Sequence, residues 1–389
     1  MDKRTFRYLR GRFGDYYRRT TLRLPPDADR REWGFVPWSE GPGTTMSRHH
    51  ALYGMESIQE FLSRKKPHHV YFSASLYEDP GAPTMDEKNW QASDLVFDLD
   101  ADHLPAVDPE STSYRQMLTE CKSHLKNLLS LLEEDLGFDD LTVVFSGGRG
   151  YHVHVRDEKA KSLTSGARQE IVNYVVGDKI TFEELTREKK KNVYNLKNFD
   201  YRTFNLGGWG ERAQKYSMSW ASEYLIGEEN EAAIEEACNS LGLSEETATT
   251  SINRLSEVPY AFHFGAIPEE SRPLAERLLE RTVAEQHAAV DQPVTTDINR
   301  LIRFPQSLHG GHALKVTQID PEDVNEFSPL SDAVPEFFAP IDIDVQLTES
   351  VDVELNGTQF SFEEGDEVSV PEYAGLFLMT HGQARKLEQ

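Results

Sequence analysis

The sequence predicts an α/β (α+β) fold, and three observations carry that prediction. Short apolar runs at 68–76, 94–100, 141–145 and 151–155 alternate or bury in the manner of strands. A long amphipathic segment, 113–136, stands between two of them with helical periodicity. After residue 158 the texture turns to charged, helix-like segments, before a strand-like stretch returns at 301–304. Strands and helices mixed in this order indicate a layered core.

Taken in order, the basic, aromatic N-terminus reads as a helix, followed by a Pro- and Gly-rich loop over 25–43. Residues 57–64 have helical spacing, and 68–76 reads as a strand. Residues 94–100, DLVFDLD, alternate like a strand that ends in acids. The buried strand 141–145 runs through a Gly-rich turn, 146–150, into the strand 151–155. The span 158–285, with helices near 228–241 and 273–286, reads as a mainly helical insertion. The core is therefore expected in two parts, 1–157 and 286–345, with an acidic, β-rich extension at 346–389. No internal repeat is evident.

The composition bounds the partners. Among 389 residues, 66 Asp and Glu outnumber 41 Lys and Arg, for a formal charge of -25. Such an excess repels a nucleic-acid backbone unless cations are gathered locally. It fits either a basic partner or a salty cytoplasm in which carboxylates keep a surface hydrated, and the even spread of acids favours the second. Two distant cysteines, Cys121 and Cys238, argue against a disulfide framework. There is no signal-peptide core and no apolar run of membrane-spanning length, so a soluble, cytoplasmic protein is expected.

Three constellations carry chemistry. In VFDLDADH, Asp98 and Asp100 are two apart on a strand and share a face, while Phe97 and Leu99 take the other. Paired carboxylates of this kind suit Mg²⁺ or Mn²⁺, although Asp-x-Asp also arises in acidic surfaces, as at Asp342 and Asp344. In FSGGRGYHVHV, Ser146, Gly147 and Arg149 make a turn whose amides and cation can cradle a phosphate, with His152 as a further donor. The same residues also fit a plain hairpin turn, or a His152/His154 metal pair. In VDQPVTTDINRLIRFPQSLHGG, Asp291 and Asp297 precede Arg300, Arg303 and His309. Cations in so apolar a setting must meet anions, whether protein carboxylates or a ligand.

These segments resemble the catalytic small subunit of archaeal and eukaryotic-type DNA primases. The matching stretches are REWGF (31–35), the TMSRHH region around Arg48, DLVFDLDADHLP (94–105), SGGRGYHVHV (146–155) and DQPVTTDINRLIRFPQSLHGG (291–311), with PLSDAVPEF (329–337) as a late one. They stand in the family's order and leave out the insertion and the last forty or so residues. The resemblance implies a prim fold, with an RRM-like mixed sheet and a smaller helical subdomain. It implies two ions held by Asp98, Asp100 and a third carboxylate, Asp291 ranked above Asp297. It places Arg48, Ser146, Gly147, Arg149, His152, Arg303 and His309 around the nucleotide's phosphates. It also implies a large-subunit partner, nucleoside triphosphates, a single-stranded DNA template and the replication machinery. Where relatives carry a zinc knob, this chain offers only His103, Cys121 and His124, too few for a closed zinc site, so structural zinc is not expected. Arg10, Arg12, Arg18, Arg19 and Lys189 to Lys191 are candidate template contacts or a solvated face. Two other readings are a repair-type primase-polymerase of the same superfamily and a non-catalytic scaffold subunit.

Overall fold

The computed structural model describes residues 1–39, 45–55, 57–108, 111–189, 201–225, 230–257, 265–339 and 341–388. The chain mixes helix and sheet, and it divides into two compact units. One comprises Met1–Lys126, Phe138–Val172 and Ala289–Gln389; the other comprises Asn127–Gly137 and Asn173–Ala288.

The first unit opens with α1, Lys3–Arg19, whose first amides are capped by the Asp2 carboxylate. Leu9, Phe13, Tyr16 and Tyr17 make its buried face. A second helix, α2 (Ile58–Lys65), is capped by Ser57 and ends at Lys66 in the left-handed conformation. Strands β1 (Trp33–Val36), β2 (Ser47–His50) and β3 (His69–Ser73) join a later strand in an antiparallel sheet. A second antiparallel sheet holds β4 (Leu95–Asp100), β5 (Leu141–Phe145) and β6 (Gly150–Val155). With β7 (Leu301–Arg303) and β8 (Thr317–Ile319), the two strand orders are β7-β3-β1-β2 and β8-β5-β6-β4.

Alternation gives the second sheet two different faces. Phe97, Leu99, Tyr151 and Val153 are buried on one, where Cys121 of α3 (Tyr114–Ser130) donates to the Leu99 carbonyl at 3.5 Å. The other face meets the first sheet: Val96 packs with Ala74, Val294 and Ile302, and His154 stacks on Phe72 with ring centres 6.0 Å apart. Each fully buried side chain of this size stabilises by roughly 1.5–3 kcal/mol.

Several expectations are corrected. The 25–43 loop contains β1, whose Trp33–Val36 residues pair with β3 in full register, so a tertiary partner overrides a Pro-rich context. The strand expected at 68–76 is two, His69–Ser73 and Ser75–Tyr77, which pair with different neighbours on either side of Ala74. Residues 158–172 pack with the first unit, where buried Arg168 donates to the carbonyls of Ser93 (2.9 Å) and Asp94 (3.0 Å). The C-terminal region has the expected strands but also helix Glu372–Thr380, a continuous apolar run buried on all sides and so without helical periodicity.

In the second unit, helices Gly208–Tyr224, Glu231–Asn239, Glu245–Glu257 and Arg272–Gln286 enclose Trp220, Ile252, Leu255, Leu274 and Leu278. A three-stranded sheet of Thr186–Lys189, Tyr201–Phe204 and Ala266–Pro268 adds to the helices expected there. Its strands are only three or four residues long, and two of them carry charges, so they leave no alternating pattern in the sequence.

Beneath the sheets of the first unit, Asp94 pairs with Arg31 at 2.9 Å and Arg156 at 3.3 Å, with Arg31 and Asp94 out of solvent. Removing one member of a buried pair strands the other's charge. Asp94→Ala is therefore expected to lose about 3–5 kcal/mol in chemical denaturation, against less than about 1 kcal/mol for an exposed control such as Glu280→Ala.

Candidate functional site

The two acids of β4 reach the site through strand geometry. Asp98 faces His152 across the antiparallel ladder, and Asp100 faces Gly150. Gly150 is required there, because any Cβ would strike the Leu99 carbonyl. Asp98 Oδ1 lies 3.3 Å from His152 Nε2. Burial works to raise the Asp98 pKa, but His152, then Arg300 and Arg303, outweigh it and hold the carboxyl below its ordinary value. The third acid arrives by a backbone bond: the Asp291 N–H donates to the Asp98 carbonyl at 2.8 Å. Asp291 precedes the short helix Gln292–Thr296, whose Val294 is anchored in the cluster with Val96. Asp297 lies at the helix's other end, where its charge is felt by Arg48 and Tyr77.

The turn from β5 to β6 closes when the Ser146 N–H donates to the Gly150 carbonyl at 3.0 Å. Gly147 has φ +75°, and a Cβ on it would stand 2.8 Å from His309 Cβ. Ser146 Oγ accepts the Gly148 N–H at 3.3 Å, and Tyr114 OH donates to the Gly148 carbonyl at 2.7 Å. Arg149 leaves the turn to pair with Asp102.

Over this turn lies a row of histidines. Ring centres run His68–His69 (4.4 Å), His69–His309 (4.9 Å), His309–His312 (4.6 Å) and His312–His381 (4.4 Å). Gly311 N–H donates to His309 Nδ1 at 3.1 Å, so that nitrogen carries the lone pair. His312 Nδ1 lies 3.0 Å from the same atom and acts as a second donor. The hydrogen-bond network thus assigns the His309 proton to Nε2, which sits 3.0 Å from where a Gly148 Cβ would be. A neutral imidazole with its N–H aimed over a Gly-Gly turn is a ready donor to an anion. Arg303 joins the row, with one guanidinium nitrogen 2.6 Å from His69 Nδ1 and its plane over Tyr71. Burial first, then Arg303 and the neighbouring rings, hold His69 and His309 well below the ordinary imidazole value. His312 is held down by burial, then by His381, Arg149 and Arg303.

The structure therefore brings Asp98, Asp100, Asp291, Ser146, Gly147, Arg149, His152, Arg303 and His309 into one neighbourhood. Arg48 is placed differently. It grips buried Glu32 through two bonds of 2.9 and 3.0 Å and donates to the Asn299 carbonyl, so its charge is already met. His154 is corrected as a metal-pair candidate: it lies in the core between the sheets, with neither ring nitrogen hydrogen-bonded among the described residues. Arg12 is engaged by Glu372 and Asp15, and Arg19 lies over Phe337. The side chains of Lys189, Lys190 and Lys191 lie outside the described residues. The sequence reading missed His68, His69, His312, His381 and Tyr114. Only His312, three residues after His309, carried a local signal.

A family model described as DNA primase small subunit matches residues 97–320. The chain is 48% identical to the DNA primase small subunit of Haloarcula marismortui over 391 residues, covering 99% of each protein. It is 47% identical to that of Halobacterium salinarum and 35% identical to that of Methanococcoides burtonii, again over 99% of each.

The histidine row has a pH signature. The unfolded chain takes up protons at these groups near 6.5, while the folded protein resists doing so. Their contribution is thus complete above that pH and is lost below it, by up to about 1.4 kcal/mol per pH unit for each group. His312→Asn is expected to flatten the decline in unfolding free energy between about pH 7 and about pH 5. An unchanged slope would show that His312 protonates freely in the folded state.

Proposed function

The chain belongs to the DNA primase small subunit family, and on that premise we propose that it is the catalytic subunit of a DNA primase. It synthesises short RNA primers, and DNA primers where deoxynucleotides are accepted, on single-stranded DNA for replication. The observation that carries the reading is the β4–β6 pairing, which sets two carboxylates beside a Gly-rich turn capped by His309, with Arg303 on the adjoining His69. A polymerase site needs both halves: acids for ions, and donors for a triphosphate. The two antiparallel sheets agree with a prim fold having an RRM-like core.

The donor set fits hard divalent ions. Asp98, Asp100 and Asp291 offer only carboxylate oxygens of the kind Mg²⁺ or Mn²⁺ prefers. Among the described residues, no group of three or more His, Cys, Asp or Glu side chains is gathered closely enough to hold an ion by itself. Ions of this class keep waters and take one or two carboxylates together with substrate phosphates. When bound, two such ions lower the pKa of an attacking 3′-hydroxyl and steady the leaving pyrophosphate.

The protein's own groups do the rest. The Gly147 amide, the Ser146 hydroxyl and His309 Nε2–H donate to the phosphates, and Arg303 balances their charge, joined by Arg149 when the ligand draws it away from Asp102. His152 orients Asp98 and keeps it ionised. Sequence then comes from base pairing with the template, so contacts to backbones suffice. The expected partner is a primase large subunit, in a cytoplasm of high salt.

Nucleotide incorporation on single-stranded DNA with Mg²⁺ or Mn²⁺ in molar salt tests the assignment. Asp98→Asn with Asp100→Asn is expected to lower the rate at least a hundredfold while the fold persists, since several kcal/mol of charge stabilisation disappear. A folded wild type that makes no product, even with a primer and the large subunit supplied, would favour the scaffold reading. His309→Ala is expected to raise the nucleotide KM about tenfold or more, as loss of a charge-assisted hydrogen bond should. An unchanged KM would remove His309 from the phosphate site.

A further inference from the structure

The first 23 residues hold Lys3, Arg4, Arg7, Arg10, Arg12, Arg18, Arg19 and Arg23 against only Asp2 and Asp15, in a chain of net charge -25. Helix α1 sorts these cations. At 100° per residue, positions 3, 7, 10, 14 and 18 fall within an arc of about 80° that turns away from the buried Leu9 and Tyr16 and borders buried Tyr17. Lys3, Arg7, Arg10 and Arg18 are exposed there. Position 14 is glycine, and Lys66 of the α2 terminus fills the gap: a Cβ on Gly14 would lie 2.7 Å from Lys66 Cε. Lys66 itself adopts φ +53°, a conformation that favours glycine and costs other residues roughly 1–2 kcal/mol. A lysine thus stands where local structure prefers glycine, and a glycine stands where its stem must pass.

The result is a continuous row, Lys3, Arg7, Arg10, Lys66 and Arg18, about 22 Å long from end to end. Arg18 bonds Asp15, whereas Lys3, Arg7, Arg10 and Lys66 have no ion pair among the described residues. Beside the row, Gly11 has nothing within 4 Å of a built Cβ, which leaves a flat, open floor.

We propose that this row binds the phosphodiester backbone of single-stranded nucleic acid. The choice of ligand rests on the primer-synthesis reading, and the charge pattern supports it. A linear series of cations matches a linear series of phosphates, and guanidinium groups pair with phosphate in two-pronged fashion. At about 3.4 Å per stacked nucleotide, the row spans roughly six nucleotides. No aromatic side chain lies in the arc, so bases are not stacked or read and the grip is independent of sequence.

The test is equilibrium binding of a fluorescent oligo-dT to the full chain at a series of salt concentrations. The variant Arg7→Gln/Arg10→Gln/Lys66→Gln is compared with wild type and with Arg277→Gln, an exposed arginine of the other unit. Loss of three phosphate contacts is expected to reduce the slope of log affinity against log salt by about two, and to weaken binding at every salt. Lys66→Gly gives a second arm: it relieves the left-handed position, so it keeps or raises the melting temperature while binding weakens. Affinity and slope equal to wild type in both variants would overturn the proposal. Unchanged oligo-dT binding with lost binding of polyglutamate would overturn it in favour of an acidic protein surface. Primer synthesis by the wild type is scored separately. A chain that binds oligo-dT through the row but makes no primer refutes the polymerase reading alone; one that makes primers while the variants bind normally refutes the row alone.

Discussion

The register between Leu95–Asp100 and Gly150–Val155 is the constraint on which the candidate site depends. With Asp98 opposite His152 and Asp100 opposite Gly150, every acid of β4 faces away from the helix-covered side and every large apolar residue faces into it. A slip of one residue would exchange those faces, driving two carboxylates into the packing around Cys121 and leaving Phe97 and Leu99 in the site. Gly150 guards against that slip, since only a glycine can lie against the Leu99 carbonyl. The same contact fixes where the Ser146–Arg149 turn emerges. The paired acids and the candidate phosphate-binding turn are thus set relative to each other by one ladder.

A second layer of charge lies beneath, and it has a different purpose. Glu32 receives Arg48 and, at 3.8 Å, Lys88, while Asp94 receives Arg31 and Arg156. These carboxylates are buried and their cations are committed to them, so the networks join strands rather than offer free charge to a ligand. Arg303 contrasts with Arg48 on this point. It leans on neutral His69 and Tyr71, and it has no ion pair among the described residues. Its positive charge remains to act on Asp98 and on whatever anion enters.

How much could be read in the sequence follows from this contrast. Asp98 and Asp100 were legible because strand alternation is local, and Ser146 to Arg149 because a glycine-rich turn between apolar strands is local too. Arg48 was misplaced because nothing near it in sequence announces Glu32, sixteen residues earlier and wholly buried. The histidine row was illegible for the same reason: His68 and His69, His309 and His312, and His381 come from three separated segments that only the fold aligns. Strands β1 and Thr186–Lys189 were hidden because they are short and owe their pairing to distant partners, whereas the helix at 372–380 was hidden by being apolar all round.

The acidic composition fits relatives from Haloarcula and Halobacterium, and it sharpens the meaning of the α1 row. In molar salt the screening length shrinks to about 3 Å, so the chain's net charge of -25 neither repels a nucleic acid at a distance nor allows a basic patch to steer one. Only groups in direct contact still count. The cation row must then work by touching phosphates, and a lysine held in a left-handed cap above a glycine is a device for placing a charge at contact range. What looks contradictory, an acidic protein handling DNA, resolves once charge is counted where the ligand lies and not over the whole chain.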